Sequence, residues 1–299
     1  MKRRNFLGSV AIAPFALGLP GSERSGMEVE KSMKNTRVQY SINAYSFNSM
    51  LRSGEMTFFD MMDFAAGLGI DAVDLTGYYF STYPEAPPDT ELFELKRKAL
   101  ELGLAIPWTG VRNDFVIPDQ SKRIESRELV REWLRISSDL GASIMRVFTG
   151  KDKPGEYNRK DAMDRLVDEL RISASYAATF GVILGLQHHN DFLYTADEII
   201  EVLERVNSPW MGLILDTGSL HAPDPYEEMR KLAPHANYWF VKEHVYPDGE
   251  KTPVNMQKIA DNIKEQGYQG YVSFETLTEG DSKEALERMV GLFRGVYME

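Results

Sequence analysis

From residue 38 to the carboxyl terminus, short apolar runs rich in β-branched and aromatic residues alternate with longer stretches whose apolar positions recur at helical spacing. The short runs cover 38–47, 72–75, 105–110, 144–148, 182–187, 211–215, 237–242 and 270–274 and predict eight strands. The longer stretches over 57–68, 90–102, 121–140, 159–180, 255–266 and 281–297, with two more opening at Thr195 and Asp224, predict eight helices. Their ends carry chemical markers. Gly69, Gly103, Gly141 and Gly181 follow helical stretches, where a C′ glycine ends a helix. Thr195 and Glu198 form a capping box, and Asp224-Pro225 places proline in the first turn. Strict alternation of strand and helix implies a parallel sheet. Eight such units close into a single α/β domain, a (β/α)8 TIM barrel over 38–299. An open, doubly wound sheet would want a Gly-rich phosphate loop after the first strand, where the chain reads Asn43-Ala44-Tyr45-Ser46-Phe47 instead.

The amino-terminal residues stand apart from this pattern. Lys2-Arg3-Arg4-Asn5-Phe6-Leu7 precedes an apolar run over 10–19, too short to span a bilayer, and then a polar stretch over 21–37. The Arg-Arg-x-Phe-Leu pattern resembles a twin-arginine export signal. The expectation is an export signal and the start of a linker over 1–24, a linker over 25–37, and a periplasmic protein. No cysteine follows the apolar run, so no lipoprotein anchor to the membrane is expected.

Composition narrows the chemistry. With 43% hydrophobic and 26% charged residues the chain has the make-up of a folded domain. A net charge of -11 repels phosphate backbones and argues against nucleic acid as a partner. The absence of cysteine removes disulfides, thiolate metal sites and cysteine nucleophiles. With five histidines, any metal site must be mostly oxygen-ligated.

A barrel of this kind keeps its chemistry at the carboxyl ends of its strands. The unusual polar residues sit there: Asn43 after the first strand, Asp74 on the second, Arg112 after the third and Arg146 on the fourth. Gln187-His188-His189 end the fifth, Asp216-Thr217-Gly218 the sixth, Lys242-Glu243-His244 the seventh and Glu275-Thr276 the eighth. Side chains alternate along a strand, so Gln187 and His189 share a side, as do Phe240, Lys242 and His244. With Glu275 aimed inward, it converges with Asp216 and Gln187. Two carboxylates and an amide oxygen make a hard-oxygen site suited to Mg²⁺ or Mn²⁺. Each carboxylate also has a plainer role open to it, capping the next helix. Lys242 lies in an apolar strand, where an ammonium is costly without a carboxylate or substrate partner. His188 is expected to point away and be structural, and His221 and His235 to lie in loops. Asn43, Arg112, Arg146, His244 and Trp108 are the expected substrate contacts. Trp108, with Tyr78, Tyr79 and Tyr83, offers either a surface for sugar rings or packing.

Several segments together carry a resemblance. Leu184-Gly185-Leu186-Gln187-His188-His189-Asn190, Thr195-Ala196-Asp197-Glu198, Ser208-Pro209, Gly212-Leu213-Ile214-Leu215-Asp216-Thr217-Gly218, Val241-Lys242-Glu243 and Phe274-Glu275-Thr276 resemble the sugar phosphate isomerase/epimerase family of xylose-isomerase-like barrels, over about 38–299. The resemblance implies one divalent metal (Mg²⁺, Mn²⁺ or Zn²⁺) held by Glu, Asp, His and Glu at the ends of strands five to eight. This chain keeps Asp216 and Glu275, carries Gln187 at the first position and Phe240 at the histidine position. An amide still ligates; a phenyl ring does not. His189 and His244 are the candidate replacements, and Lys242 is an alternative source of positive charge.

The activity this implies is a carbohydrate isomerase or epimerase acting on a free sugar or keto-sugar. Glu275, or alternatively His189, removes a proton next to a carbonyl, and a metal or Lys242 stabilises the enediolate oxygen. Loss or addition of water at the adjacent carbon uses the same enolate, so a keto-sugar lyase or hydratase is an alternative. A carbohydrate-binding barrel with a decayed metal site is another, motivated by Gln187 and Phe240. Export favours an unphosphorylated substrate. The superfamily's abasic-DNA endonucleases use several metals and many histidines, which five histidines and an acidic chain oppose. The expected partner is a small carbohydrate, with self-association into a homo-oligomer left open.

Overall fold

The apolar runs become eight parallel strands in a computed structural model that describes residues 37–278 and 280–298. These are β1 (Gln39–Asn43), β2 (Ala72–Thr76), β3 (Ala105–Gly110), β4 (Ile144–Val147), β5 (Ile183–Gln187), β6 (Met211–Asp216), β7 (Ala236–Lys242) and β8 (Tyr271–Glu275). They pair in chain order, and β1 closes on β8. Apart from a six-residue helix at Asn48–Ser53, the helices between and after them are α1 (Phe58–Gly67), α2 (Asp89–Leu102), α3 (Gln120–Leu140), α4 (Arg159–Phe180), α5 (Ala196–Val206), α6 (Pro225–Leu232), α7 (Met256–Glu265) and α8 (Ser282–Met298). The chain is therefore a (β/α)8 barrel. Among the described residues no helix is long and apolar enough to cross a membrane. The export signal expected over 1–24, and the linker over 25–37 except its last residue, lie outside the described residues.

The helix ends follow local chemistry. The Thr195–Glu198 capping box opens α5, and the Asp224 side chain accepts backbone N–H groups from Tyr226 and Glu227 at the start of α6. Gly141 closes α3 with φ 82°, a left-handed conformation that a residue with a Cβ adopts only at a cost. One expected strand is shorter than its apolar run. The chain leaves β1 at Asn43, whose side-chain oxygen accepts the Tyr45 N–H at 2.8 Å, and Ala44–Phe47 form a 3₁₀ turn. An Asn side chain offers the backbone this turn in competition with the strand ladder.

Apolar burial divides into two regions. A large cluster fills the space between the strands and the helices. A smaller one, Trp108, Ile144, Ile214, Tyr238 and Phe240, fills the barrel interior. The Trp108 and Phe240 rings meet edge to face with centroids 5.3 Å apart and floor the mouth of the barrel. Register then sets the heights of the polar residues above that floor. Glu275 is level with Lys242, Asp216 with Phe240, and Gln187 with Ile214.

Candidate active site

A buried ion cluster lies at the carboxyl ends of β5 to β8. Lys242 Nζ stands 2.9 Å from Asp216 Oδ2 and 3.3 Å from Glu275 Oε1. Gln187 Nε2 donates to the same Asp216 oxygen at 2.7 Å, and Arg146 Nη1 donates to Gln187 Oε1 at 3.2 Å. Asp216 Oδ1 accepts the Gly218 N–H at 3.0 Å. All five side chains, from Arg146 to Glu275, are buried. The Asp216-Thr217-Gly218 segment is built around the lysine. Thr217 Oγ1 accepts the Lys242 backbone N–H at 3.0 Å, and a Cβ at position 218 would lie 2.6 Å from Lys242 Cδ. Glycine is needed there for space. The two following motifs interlock as well: the Thr276 hydroxyl donates to Glu243 at 2.5 Å, and Ser46 Oγ accepts the Thr276 N–H at 3.1 Å.

Charge pairing outweighs burial in this cluster. Burial alone would raise the Asp216 carboxyl, but Lys242, with His189 and His188 behind it, holds it down to about 2. Burial would likewise depress the Lys242 ammonium, and the Asp216 and Glu275 carboxylates raise it above its ordinary value instead. One layer below, Asp74 is fully buried and accepts from the hydroxyls of Ser41, Tyr238 and Ser273. Among the described residues no cation pairs with it, and burial pushes its carboxyl up to about 7.

This arrangement does not fit a divalent metal. The expected ligands Gln187, Asp216 and Glu275 do come together, but Gln187 turns its N–H₂ rather than its oxygen toward Asp216, with that oxygen engaged by Arg146. The Lys242 ammonium stands between the two carboxylates, where a metal would have to lie. Phe240, at the position where the family resemblance calls for histidine, packs into the barrel floor. Among the described residues no three His, Asp or Glu side chains form a group able to hold a metal ion. In this structure the three expected metal ligands are instead members of a lysine-centred ion cluster.

Above the cluster is a cavity of about 180 Å³. Of the residues expected in the site, Asn43, Trp108, Arg112, Arg146, Gln187, His189, Lys242 and Glu275 line it. Asp216 lies beneath, fully buried. His244 does not join them. It begins a short antiparallel hairpin, His244–Val245 with Thr252–Pro253, and lines a neighbouring cavity with Tyr246 and Lys251. His244 departs from strand alternation because the chain turns into this hairpin directly after β7 ends at Lys242.

Tyr45, Phe148 and Leu277 also line the site and were not foreseen. Phe148 and Leu277 fall two residues after Arg146 and Glu275, just past the ends of β4 and β8. Tyr45 is placed by the 3₁₀ turn. The Arg146 guanidinium lies 3.9 Å over the Phe148 ring, 5.4 Å from Trp108 and 5.7 Å from Tyr78, a setting of cation–π contacts. Tyr79 and Tyr83 are engaged in packing: Tyr79 donates to Asn48, and Tyr83 accepts the Arg112 N–H. His189 is partly exposed, with Nδ1 3.3 Å from Asp191 Oδ2.

His188 points away from the cavity, fully buried, and its Nε2 accepts the Asp216 N–H at 3.0 Å. Burial lowers its pKa from 6.5 to about 4. The folded protein thus keeps it neutral where the unfolded chain binds a proton. That stability is present above pH 6.5 and is lost as the pH falls toward 4, reaching about 2 kcal/mol by pH 5. Urea denaturation at pH 7.5 and pH 5 should show wild type losing more stability on acidification than His188→Gln. Asp74 acts in the opposite direction but equally in both proteins, so equal losses would dismiss this account of His188.

Residues 62–294 match the xylose isomerase-like TIM barrel family, and the chain belongs to it. No curated protein matches the chain by sequence. Among solved structures it is similar to D-psicose 3-epimerase from Clostridium cellulolyticum H10, at 17% identity and a TM-score of 0.70 over 87% of this chain and 99% of that one. It is similar to 3-keto-D-glucoside 4-epimerase from E. coli, at 12% identity and a TM-score of 0.70 over 87% and 100%. A third likeness is to the probable 3-DHS dehydratase involved in petrobactin synthesis in Bacillus anthracis, at 20% identity and a TM-score of 0.67 over 86% and 99%. At these identities the likeness is one of fold.

Proposed function

We propose that this barrel is a carbohydrate epimerase or isomerase that removes a proton next to the carbonyl of an unphosphorylated keto-sugar, with the Lys242 ammonium as its resident cation. The observation that carries the reading is the position of Lys242 Nζ, shared between Asp216 and Glu275 at the floor of the cavity. The substrate carbonyl oxygen takes a hydrogen bond from Nζ in place of the longer contact to Glu275. Glu275, so released, accepts the proton from the adjacent carbon. The electron pair moves onto the carbonyl oxygen, where the ammonium stabilises the enolate in a water-poor site. Asp216 keeps the ammonium charged and in place. His189, with Nδ1 3.3 Å from Asp191 Oδ2, lines the same cavity and returns a proton to that carbon; returned instead to the former carbonyl carbon, with the adjacent hydroxyl proton passing to the enolate oxygen, it gives the isomer. The sugar epimerases among the structural neighbours support the substrate class. The Arg3-Arg4-Asn5-Phe6-Leu7 start supports a periplasmic site of action.

The test is deuterium uptake from D₂O into a panel of 2-ketohexoses and 3-keto-glycosides, followed by mass spectrometry. Uptake should occur in at least one of them and change less than twofold after exhaustive treatment with EDTA. No uptake across the panel rejects the reaction. Uptake abolished by EDTA and restored by a divalent ion rejects the lysine as the working cation. A product lighter by one water moves the reading to a lyase.

A further inference from the structure

The cavity over the ion cluster, about 180 Å³, is smaller than the roughly 300–1,000 Å³ of ordinary small-molecule sites. Beside it lies a second cavity of about 660 Å³. Arg112, Phe148 and His189 line both, so the two spaces meet along these three side chains. The outer space lies between the loops after β2 to β5 and the first turns of α3. Pro84, Ile117 and Leu129 supply an apolar wall, and Lys122, Glu125 and Lys151 supply charged groups. Apolar surface with a few convergent polar groups is the make-up of a ligand site.

We infer that the substrate is a glycoside. The reacting sugar occupies the inner cavity, and its substituent, of the size of a second sugar ring or an aryl group, passes between Arg112 and His189 into the outer one. This rests on the carbohydrate reading above and enlarges its substrate. Three features favour it. The inner space is small for a ligand that must be held by contact on all sides. The larger space is continuous with it through residues that also touch the reacting sugar. Its apolar wall suits the C–H face of a sugar ring or an aromatic ring. Binding of a remote substituent there would position the reacting carbon against Glu275 and Lys242.

Calorimetry with unreactive glycosides tests this apart from turnover. The probes are matched sets in the gluco, galacto and manno series: the methyl glycoside, the 4-nitrophenyl glycoside and the corresponding disaccharide. In at least one series a larger glycoside should bind ten times or more tighter than the methyl glycoside. The larger probe that gains the affinity tells whether the outer space takes an aryl group or a second sugar. Leu129→Trp and Glu125→Trp fill the outer cavity, the second at an exposed position that leaves folding undisturbed. Each should bring the ratio to within twofold of one. A ratio near one in every series of wild type, no heat from any probe, or a ratio that survives in both folded variants overturns the inference. Discrimination without deuterium exchange in any keto-sugar would reject the proposed reaction and leave the two-cavity site standing.

Discussion

Lys242→Met should be the most damaging single substitution in the barrel, lowering turnover by about 10²–10³-fold and stability by about 3–5 kcal/mol at pH 8. The variant removes the one ammonium that lies between Asp216 and Glu275 and leaves both carboxylates buried. Two buried carboxylates without a cation raise each other's pKa, so the variant folds by taking up a proton that wild type does not need. The sign follows. In wild type the Asp216 carboxyl is held at about 2, so its pairing contributes stability above its ordinary value of 3.8 that disappears only as the pH falls toward 2. In the variant that contribution is gone, and protonation relieves the site. The stability gap between the two proteins should therefore be wide at pH 8 and narrow at pH 5. Adding Asp216→Asn to Lys242→Met should return much of the stability and none of the activity, since it removes a buried charge without restoring the cation. Urea denaturation at the two pH values, with deuterium exchange on the same preparations, checks each part. A Lys242→Met protein as stable as wild type at pH 8 would mean that the ammonium does not neutralise the carboxylates.

The fold was readable because its signals are local. Apolar periodicity, the Thr195–Glu198 box, Asp224-Pro225 and the glycines after the helices each concern a few neighbouring residues, and eight repetitions leave few architectures. The meeting of Gln187, Asp216, Lys242 and Glu275 was also readable, because residues at the carboxyl ends of barrel strands share one rim whatever lies between them in sequence. The state of that meeting point was not. Hard-oxygen groups in one place suggest a metal, and only the register of β7 against β6 and β8 shows that the Lys242 stem ends between the two carboxylates. His244 was misplaced because alternation was carried past the end of β7 into a hairpin. The outer cavity left no signature, since it is assembled from loops after different strands and one helix face, none of which stands out alone.

Glu275→Gln is expected to lower deuterium exchange by about 10²–10⁴-fold, the range for loss of a general base, while changing stability little. The contrast with Lys242→Met is the informative part. A glutamine at 275 keeps an oxygen able to accept from Lys242 Nζ, and the shorter 2.9 Å pair with Asp216 remains, so no buried charge loses its last partner. What the variant loses is the ability to hold a proton taken from carbon. Sugar affinity by calorimetry should stay within about threefold of wild type, since an amide fills the same space and still forms hydrogen bonds. Loss of exchange together with loss of folding would make Glu275 a structural member of the cluster. Full exchange in a folded Glu275→Gln protein would remove it from the chemistry and leave His189 as the base. Loss of exchange alone, with melting and binding kept, is the outcome required of a carboxylate whose task begins only after the substrate carbonyl has taken its place beside Lys242.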